Sequence, residues 1–378
     1  MVERRRPQAD QHFAGTREGI RRLLEDEDLR PAVLVDADRL QGTISVMTSA
    51  ELSRLAEELG LDAVGAAPAA AYESTERHIA ERAERGLFAD MKFTMARPGV
   101  SCHPETLLAG ARTVVSAALC YYAEAPEQPA GTGRLPRYTW THAYAQLREK
   151  LDGLGRRLGG EYRVLVDEND HVDREGAARS GIGFYGKNTL LITRRHGSWV
   201  VLGTLVTQAG LEPTPPLGTD CGECRLCIDA CPTDALSDPG VLDANRCLSY
   251  WTQSREPFPV EYRAALEDRV YGCDICQDVC PWNRGVEKRR AQAPPAEAEP
   301  FVSLVDWLEA DEAELRLRYD RLYVPRNDPR YLRRNALVAA GNVGGDAERA
   351  SVAPWATSDD ELLREHARWA LARMAERT

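Results

Sequence analysis

The chain has 378 residues, 43% hydrophobic and 28% charged, with a formal net charge of −11. That length has room for two or three globular domains. No apolar run approaches the roughly eighteen residues of a membrane span, and the acidity argues against nonspecific nucleic-acid binding by the whole surface, though not by a local basic face. Arg4, Arg5 and Arg6 hint at a twin-arginine export signal, but the stretch 8–16 that follows is polar, so export is not expected.

Residues 1–46 read as a charged appendage with a short helix near 20–24 and a strand-like run at 32–35. Met47 opens what looks like a domain and is a candidate translation start. Thr48 and Glu51 have the spacing of a capping box. Leu52, Leu55, Ala56 and Leu59 follow at helical intervals, with Gly60 as the stop. From there to 215, helical segments (51–59, 73–85, 142–158) alternate with β-rich runs (113–119, 163–167, 189–193, 199–206), the pattern of an α/β or α+β domain around a central sheet.

Eight of the ten cysteines lie between 216 and 284. They read Cys221-Gly-Glu-Cys224-Arg-Leu-Cys227-Ile-Asp-Ala-Cys231-Pro232, then Cys247, then Cys273-Asp-Ile-Cys276-Gln-Asp-Val-Cys280-Pro281. The first run has the spacing of bacterial two-cluster ferredoxins, in which three thiolates hold one [4Fe–4S] cube and the fourth crosses to the other. The crossed rule assigns Cys221, Cys224, Cys227 and Cys280 to one cube, and Cys231, Cys247, Cys273 and Cys276 to the second. A triple C-x2-C-x2-C is poorly shaped for one tetrahedral zinc, and a disulfide framework is not expected in so long a chain with no secretory signal. Thiolate-held cubes fit a reducing cytoplasm. Cys102 and Cys120 belong to no motif and read as buried core thiols.

A linker rich in Ala, Pro and Glu spans 285–300, and a helical segment runs from 301 to 378. It contains a repeat of period 31, Leu332-Arg-Arg-Asn-Ala336-Leu-Val-Ala339 against Leu363-Arg-Glu-His-Ala367-Arg-Trp-Ala370. Such units resemble HEAT-like helical pairs, and two are too few to stand without packing on the rest of the protein. Helical repeats commonly present a binding surface. Between 316 and 334, seven arginines (Arg316, Arg318, Arg321, Arg326, Arg330, Arg333, Arg334) face only Asp320 and Asp328. Composition leaves open whether they form a solvated helix face or a phosphate-contacting patch.

Cubes alone only move electrons, so a reaction needs a further site. The densest candidate is Val164-Leu-Val-Asp167-Glu-Asn-Asp-His-Val-Asp-Arg-Glu175, followed by Gly181-Ile-Gly183-Phe-Tyr-Gly186-Lys187-Asn188. Asp167 ends an apolar strand, where open α/β sheets present groups to a ligand. It also suits a helix N-cap, the commoner role on sequence grounds. The three glycines allow tight turns, but no ribose-binding acid follows as a dinucleotide site requires. Lys187 could touch an anion or serve structure.

These segments, with Arg246-Cys-Leu-Ser-Tyr250, Cys273 to Trp282-Asn283 and Leu61-Asp-Ala-Val-Gly-Ala-Ala-Pro68, together resemble the epoxyqueuosine reductase family over about 48–376. The resemblance implies an α+β architecture. A cobalamin-binding α/β domain (47–215) resembling reductive dehalogenases would be followed by a ferredoxin-like double [4Fe–4S] domain (216–284) and HEAT-like repeats (301–378). It implies an oxidoreductase that removes the epoxide oxygen of epoxyqueuosine at the tRNA wobble position, with electrons passing through the cubes to base-off cobalamin. Asp167 takes the place of the family's proton donor. Lys187, Asn188, Leu191, Leu202, Ser254, Asp274 and Ile275 match segments lying against the corrin, and Tyr144 a substrate-side aromatic. Arg330, Arg333 and Arg334 fall in the part that would hold the anticodon arm. An external flavodoxin- or ferredoxin-like donor, a monomeric state and no membrane association complete the expectation. The chain departs from the common family pattern at Asp170, at Asp173-Arg174 and at Gln253-Ser254-Arg255, all near the expected corrin and substrate. Two other readings are a plain electron-transfer module and a cobalamin reductase of a small molecule.

Overall fold

A computed structural model describes residues 46–168 and 170–377. The helix and strand expected near 20–24 and 32–35 therefore lie outside the described residues. The strands among those described are β1 Ala63–Pro68, β2 Thr113–Cys120, β3 Thr132–Arg134, β4 Tyr162–Val166, β5 Phe184–Tyr185, β6 Leu191–Ile192, β7 Val200–Thr207 and β8 Phe301–Ser303. A central sheet has the order β1-β2-β7-β4, and every ladder in it is antiparallel. The ladders decide for α+β in this half of the chain and against a parallel α/β sheet, a distinction that alternation of helices and strands in the sequence does not make.

The two faces of the sheet follow from its period of two. On one face Ala66, Val115, Ala117, Val166, Val201 and Leu205 meet Leu52 and Ala56 of helix Ser49–Glu58 and Leu147, Leu151 and Leu154 of helix Ala143–Leu158. On the other, Ala118 packs with Ala177 of helix Asp173–Arg179, with Ile182 and with Leu191. The first helix starts as its sequence specifies. The Thr48 hydroxyl accepts from the Glu51 N–H, and the Glu51 carboxylate accepts from the Thr48 N–H at 2.8 Å.

β1 went unread in the sequence because Ala-Val-Gly-Ala-Ala-Pro holds one β-branched residue and no aromatic. Small side chains are what this edge requires, since a Cβ on Gly65 would fall 1.9 Å from the Ser180 carbonyl oxygen. The run expected at 189–193 is a strand only at β6, and its first half is the turn of a β5–β6 hairpin.

The segment 285–300 is not a free linker. Its start continues helix Arg284–Arg289. Beyond that it is strapped along the first domain: the Gln292 and Pro300 carbonyls accept from Glu124 and Leu135 N–H groups, and Glu299 N–H donates to Trp140. Strand β8 then pairs with β3. The two repeat segments lie on helices Arg330–Val343 and Glu361–Arg377, where Leu332, Ala336 and Ala339 share one core with Leu363, Ala367 and Ala370. That core runs on into Leu135, Trp140, Val270 and Tyr271, so the C-terminal helices bury their apolar faces against the rest of the chain.

Gly203 faces the Ala143–Leu158 helix, where a Cβ would lie 2.6 Å from Leu151 Cδ1 and 2.8 Å from Val166 Cγ2. Gly203→Ala is expected to cost about 1–3 kcal/mol by overpacking, read as a lower denaturant midpoint.

Candidate active site

The eight motif cysteines gather into two neighbourhoods that adjoin each other. Cys227 lies within electrostatic reach of Cys280, Cys221 and Cys224. Cys276 lies in reach of Cys273 and Cys247, and Cys247 of Cys231. Burial pushes the Cys227 thiol up to about 11 and the Cys273 thiol up to about 12, so thiolates at these positions need the positive charge of iron to be stable. Among the described residues no three His, Cys, Asp or Glu side chains converge on a single ion.

Asp167 follows β4 directly and holds a left-handed backbone, φ +55°. It does not cap the following helix, which starts at Asp173 and has Val172 at its N-cap, so the cap reading is overturned. A non-glycine residue in this region signals a constraint imposed from elsewhere. Here Arg148 donates to the carbonyl of Val166 (2.7 Å) and to Glu168 (2.9 Å) on one side. On the other, Asp170 takes Arg97 and Arg163, both at 2.6 Å. The departure at Asp170 thus fastens the loop that carries Asp167.

The Asp167 side chain is exposed at the end of β4. Partial desolvation raises its pKa, the Asp173 charge raises it further, and Arg148 opposes both. Its charge also reaches the phenols of Tyr144 and Tyr271. Tyr185, 42% exposed, is likewise pushed up by desolvation. The exposed Arg174 acts on both Tyr144 and Tyr185. Asp167 is thus a surface carboxyl with two phenols and two opposing charges in electrostatic reach.

A buried polar chain that the sequence reading missed ends on Asp173, whose charge acts on Asp167. Tyr72 Oη shares a hydrogen bond with His171 Nε2 at 3.0 Å. His171 Nδ1 lies 3.1 Å from Thr204 Oγ1 and 3.2 Å from Asp173, and the Thr204 hydroxyl donates to Asp173 at 2.9 Å. The only sequence signal was His171 itself, in an otherwise acidic run.

The remaining candidates fall into two groups. The β5–β6 turn docks on the cysteine segment: Lys187 Nζ donates to the Gly222 carbonyl beside Cys221, and Asn188 Nδ2 to the Cys276 carbonyl at 3.4 Å. Leu191 points into the core and Leu202 packs against the same cluster, so any face they offer a ligand is through backbone. Asp274 accepts from the Arg137 N–H (2.9 Å) and from Gln277 (3.2 Å), and Ile275 opens the short helix Ile275–Asp278. Ser254 is corrected: it is 4% exposed, its hydroxyl accepts from the Glu256 N–H, and it does not line open space.

Two of the expected tRNA-contacting arginines are corrected as well. Arg334 is 0% exposed and donates to the carbonyls of Ser254, Glu256 and Trp251 at 2.6–2.7 Å. Arg333 is buried over the Trp355 ring and bound to Ala310 and Glu312. Both serve packing, because long side chains at helix positions facing the core must end on protein acceptors. Arg330 is part-exposed and pairs with Asp360 at 2.9 Å. Arg326 is exposed, with no hydrogen-bond or ion-pair partner among the described residues. Arg334→Leu leaves three carbonyls without donors, at roughly 1–3 kcal/mol each. It is expected to lower the thermal midpoint sharply, whereas Arg326→Gln is expected to leave it unchanged.

Comparison with known proteins agrees with this geometry. Residues 220–283 match the family model of a 4Fe-4S double cluster binding domain, and residues 102–168, ending just past Asp167, match one described as "Epoxyqueuosine reductase QueG, DUF1730". The epoxyqueuosine reductase of Lactococcus garvieae is 32% identical over 86% of this chain and 95% of its own. That of Bacillus subtilis is 30% identical over 86% and 87%. A solved epoxyqueuosine reductase with an epoxyqueuosine-modified tRNA-Tyr stem loop superposes with a TM-score of 0.78 at 30% identity, covering 86% of this chain and 89% of that one. With the cysteine sets and the Asp167 loop in place, the chain belongs to the epoxyqueuosine reductase family.

Proposed function

We propose that this protein reduces epoxyqueuosine to queuosine at the wobble position of tRNA, with Asp167 as the proton donor. The observation that carries the reading is the placement of Asp167. It is held in a left-handed loop, with its pKa raised and within electrostatic reach of Tyr271, two positions from Cys273, and we read its surroundings as a substrate cleft. A plain electron-transfer module has no use for such a cleft. A relative solved with a modified tRNA stem loop supports the choice of substrate.

Removing an epoxide oxygen as water takes two electrons and two protons and leaves a carbon–carbon double bond. The two clusters, and cobalamin bound base-off, supply when bound the one-electron carriers and the reduced metal for that chemistry. Asp167, Leu202, the 187–191 turn and the Asp274–Ile275 backbone are the groups that would hold the corrin, and Asn188 already bridges the turn to the Cys276 carbonyl. Tyr144, in electrostatic reach of Asp167, would order the ring of the base. The carboxyl of Asp167 must be protonated to donate to the departing oxygen, and desolvation with the Asp173 charge keeps it so to higher pH than an ordinary aspartate. The C-terminal helices, read as a HEAT-like pair, would form part of the RNA-binding face. We place the protein in the cytoplasm as a monomer served by a flavodoxin- or ferredoxin-like donor.

The test is an anaerobic assay of reconstituted protein on epoxide-containing tRNA, followed by chromatography of the released nucleosides. Protein with a full iron complement that neither takes up cobalamin nor forms queuosine contradicts the reading. Asp167→Asn is expected to abolish turnover with cluster and cobalamin spectra intact. Turnover of the wild type should fall as pH rises through the Asp167 pKa. Asp173→Asn removes a charge that raises this pKa, so the alkaline limb should move to lower pH. Arg148→Gln removes a charge that lowers it, so the limb should move to higher pH. Single-turnover rates against pH check both signs.

A further inference from the structure

Two of the largest exposed apolar side chains meet each other. Phe93 (40% exposed) and Tyr323 (54% exposed) pack edge to face with ring centroids 5.7 Å apart, though 230 positions separate them in sequence. A pair of solvent-facing aromatics contributed by two remote segments is not explained by core packing, because neither ring enters a buried cluster.

Each partner is tied to the Asp167 cleft from a different side. Tyr271, whose phenol senses the Asp167 charge, donates that phenol's hydrogen to the Tyr323 carbonyl at 3.0 Å. The Phe93 segment is fastened by Arg97 to Asp170, three residues beyond Asp167, and by the Ser101 hydroxyl to the Thr94 carbonyl at 2.7 Å. Both ring-bearing segments are therefore anchored to residues around Asp167, one through Tyr271 and the other through Asp170.

The chain beside them carries both signs, with Asp90, Asp320 and Asp328 among the acids, and two free cations. Lys92 and Arg326 are exposed, and neither side chain has a hydrogen-bond or ion-pair partner among the described residues. Nearby Asp90 is engaged by Arg255 at 3.3 Å and by the Tyr250 hydroxyl. Arg326 and Asn327 both hold left-handed backbones, φ +60° and +51°, so the loop presenting Tyr323 is kept in an unfavourable shape. In a chain of net charge −11, two unpaired cations beside two exposed rings are complementary to a nucleic-acid strand: phosphates to the cations, a base face to the rings.

Resting on the tRNA reading above, we infer that Phe93 and Tyr323 form a stacking platform for an unpaired loop base adjacent to the one that enters the Asp167 cleft, with Lys92 and Arg326 on the flanking phosphates. A base parked there leaves its neighbour splayed toward the cleft, so the platform sets the register of the loop. A hydrophobic protein partner is the competing occupant of such a patch, and it would not depend on RNA.

The test uses the full-length reconstituted protein and a synthetic anticodon stem loop carrying 2-aminopurine beside the wobble position. Wild type should bind in a salt-dependent way and quench the fluorophore. Phe93→Leu and Tyr323→Leu, with cluster absorbance retained, should each weaken binding about 5- to 100-fold and lose the quench, leaving the salt slope unchanged. Tyr323→Phe should restore both. Lys92→Gln and Arg326→Gln should keep the quench and reduce the salt slope by about one each. Leucine variants that bind and quench like wild type overturn the platform while the tRNA reading stands. Wild-type protein that binds no stem loop at any salt overturns the tRNA reading, and the platform with it.

Discussion

The packing of the two cysteine segments on each other constrains what stands around them. In the proposed crossed sets Cys280 reaches back to the Cys221–Cys224–Cys227 group and Cys231 reaches forward to Cys247, so two segments some fifty residues apart are held side by side. Against this fixed block the other parts take their places. The β5–β6 turn is pinned to it through Lys187 and Asn188. Arg334 stitches the chain around Ser254 to the C-terminal helices through three carbonyls, and Asn335 adds bonds to Thr252 and Val270.

The surroundings of Asp167 draw on both that block and the sheet, through Tyr271 on one side and β4 on the other. β4 delivers Asp167, and the salt bridges of Asp170 hold its loop in a conformation that an unconstrained aspartate rarely adopts. The buried Tyr72–His171–Thr204–Asp173 chain then fixes where the nearest negative charge stands. In a partly desolvated site, fixed charges act strongly, so the position of one carboxylate sets the proton affinity of another. Asp170 and Asp173, which looked like weaknesses in the family pattern, each have a defined task here: one anchors the loop and the other tunes the acid.

Arginine usage separates two roles that composition cannot. Arg333 and Arg334 belong to the same basic stretch as Arg326, yet two are buried on protein acceptors and one is free in solvent. The stretch bends through a turn at 325–327 before helix Arg330–Val343 begins, and that bend turns successive arginines to opposite environments. Just ahead of the same bend, Tyr323 stands exposed against Phe93. A charge count sees seven equivalent cations where the fold makes a scaffold and a surface.

Local physics made much of the chain legible. The capping box at Thr48, the periodicity of the helix at 143–158, the β-rich runs at 113–119 and 199–206, and the ferredoxin-type cysteine spacing each depend on residues near one another in sequence. So does the end of β4 at Asp167, although only the fold showed that the following helix begins six residues later and that Asp167 is not its cap. What only the tertiary structure decided depends on distant groups meeting. The antiparallel ladders, the edge strand β1 made of small residues, the strapped segment 285–300, the burial of Arg333 and Arg334, and the raised proton affinity of Asp167 all belong here. Their physical cause is the same, because desolvation and packing are set by what the rest of the chain brings alongside, and no local pattern encodes that.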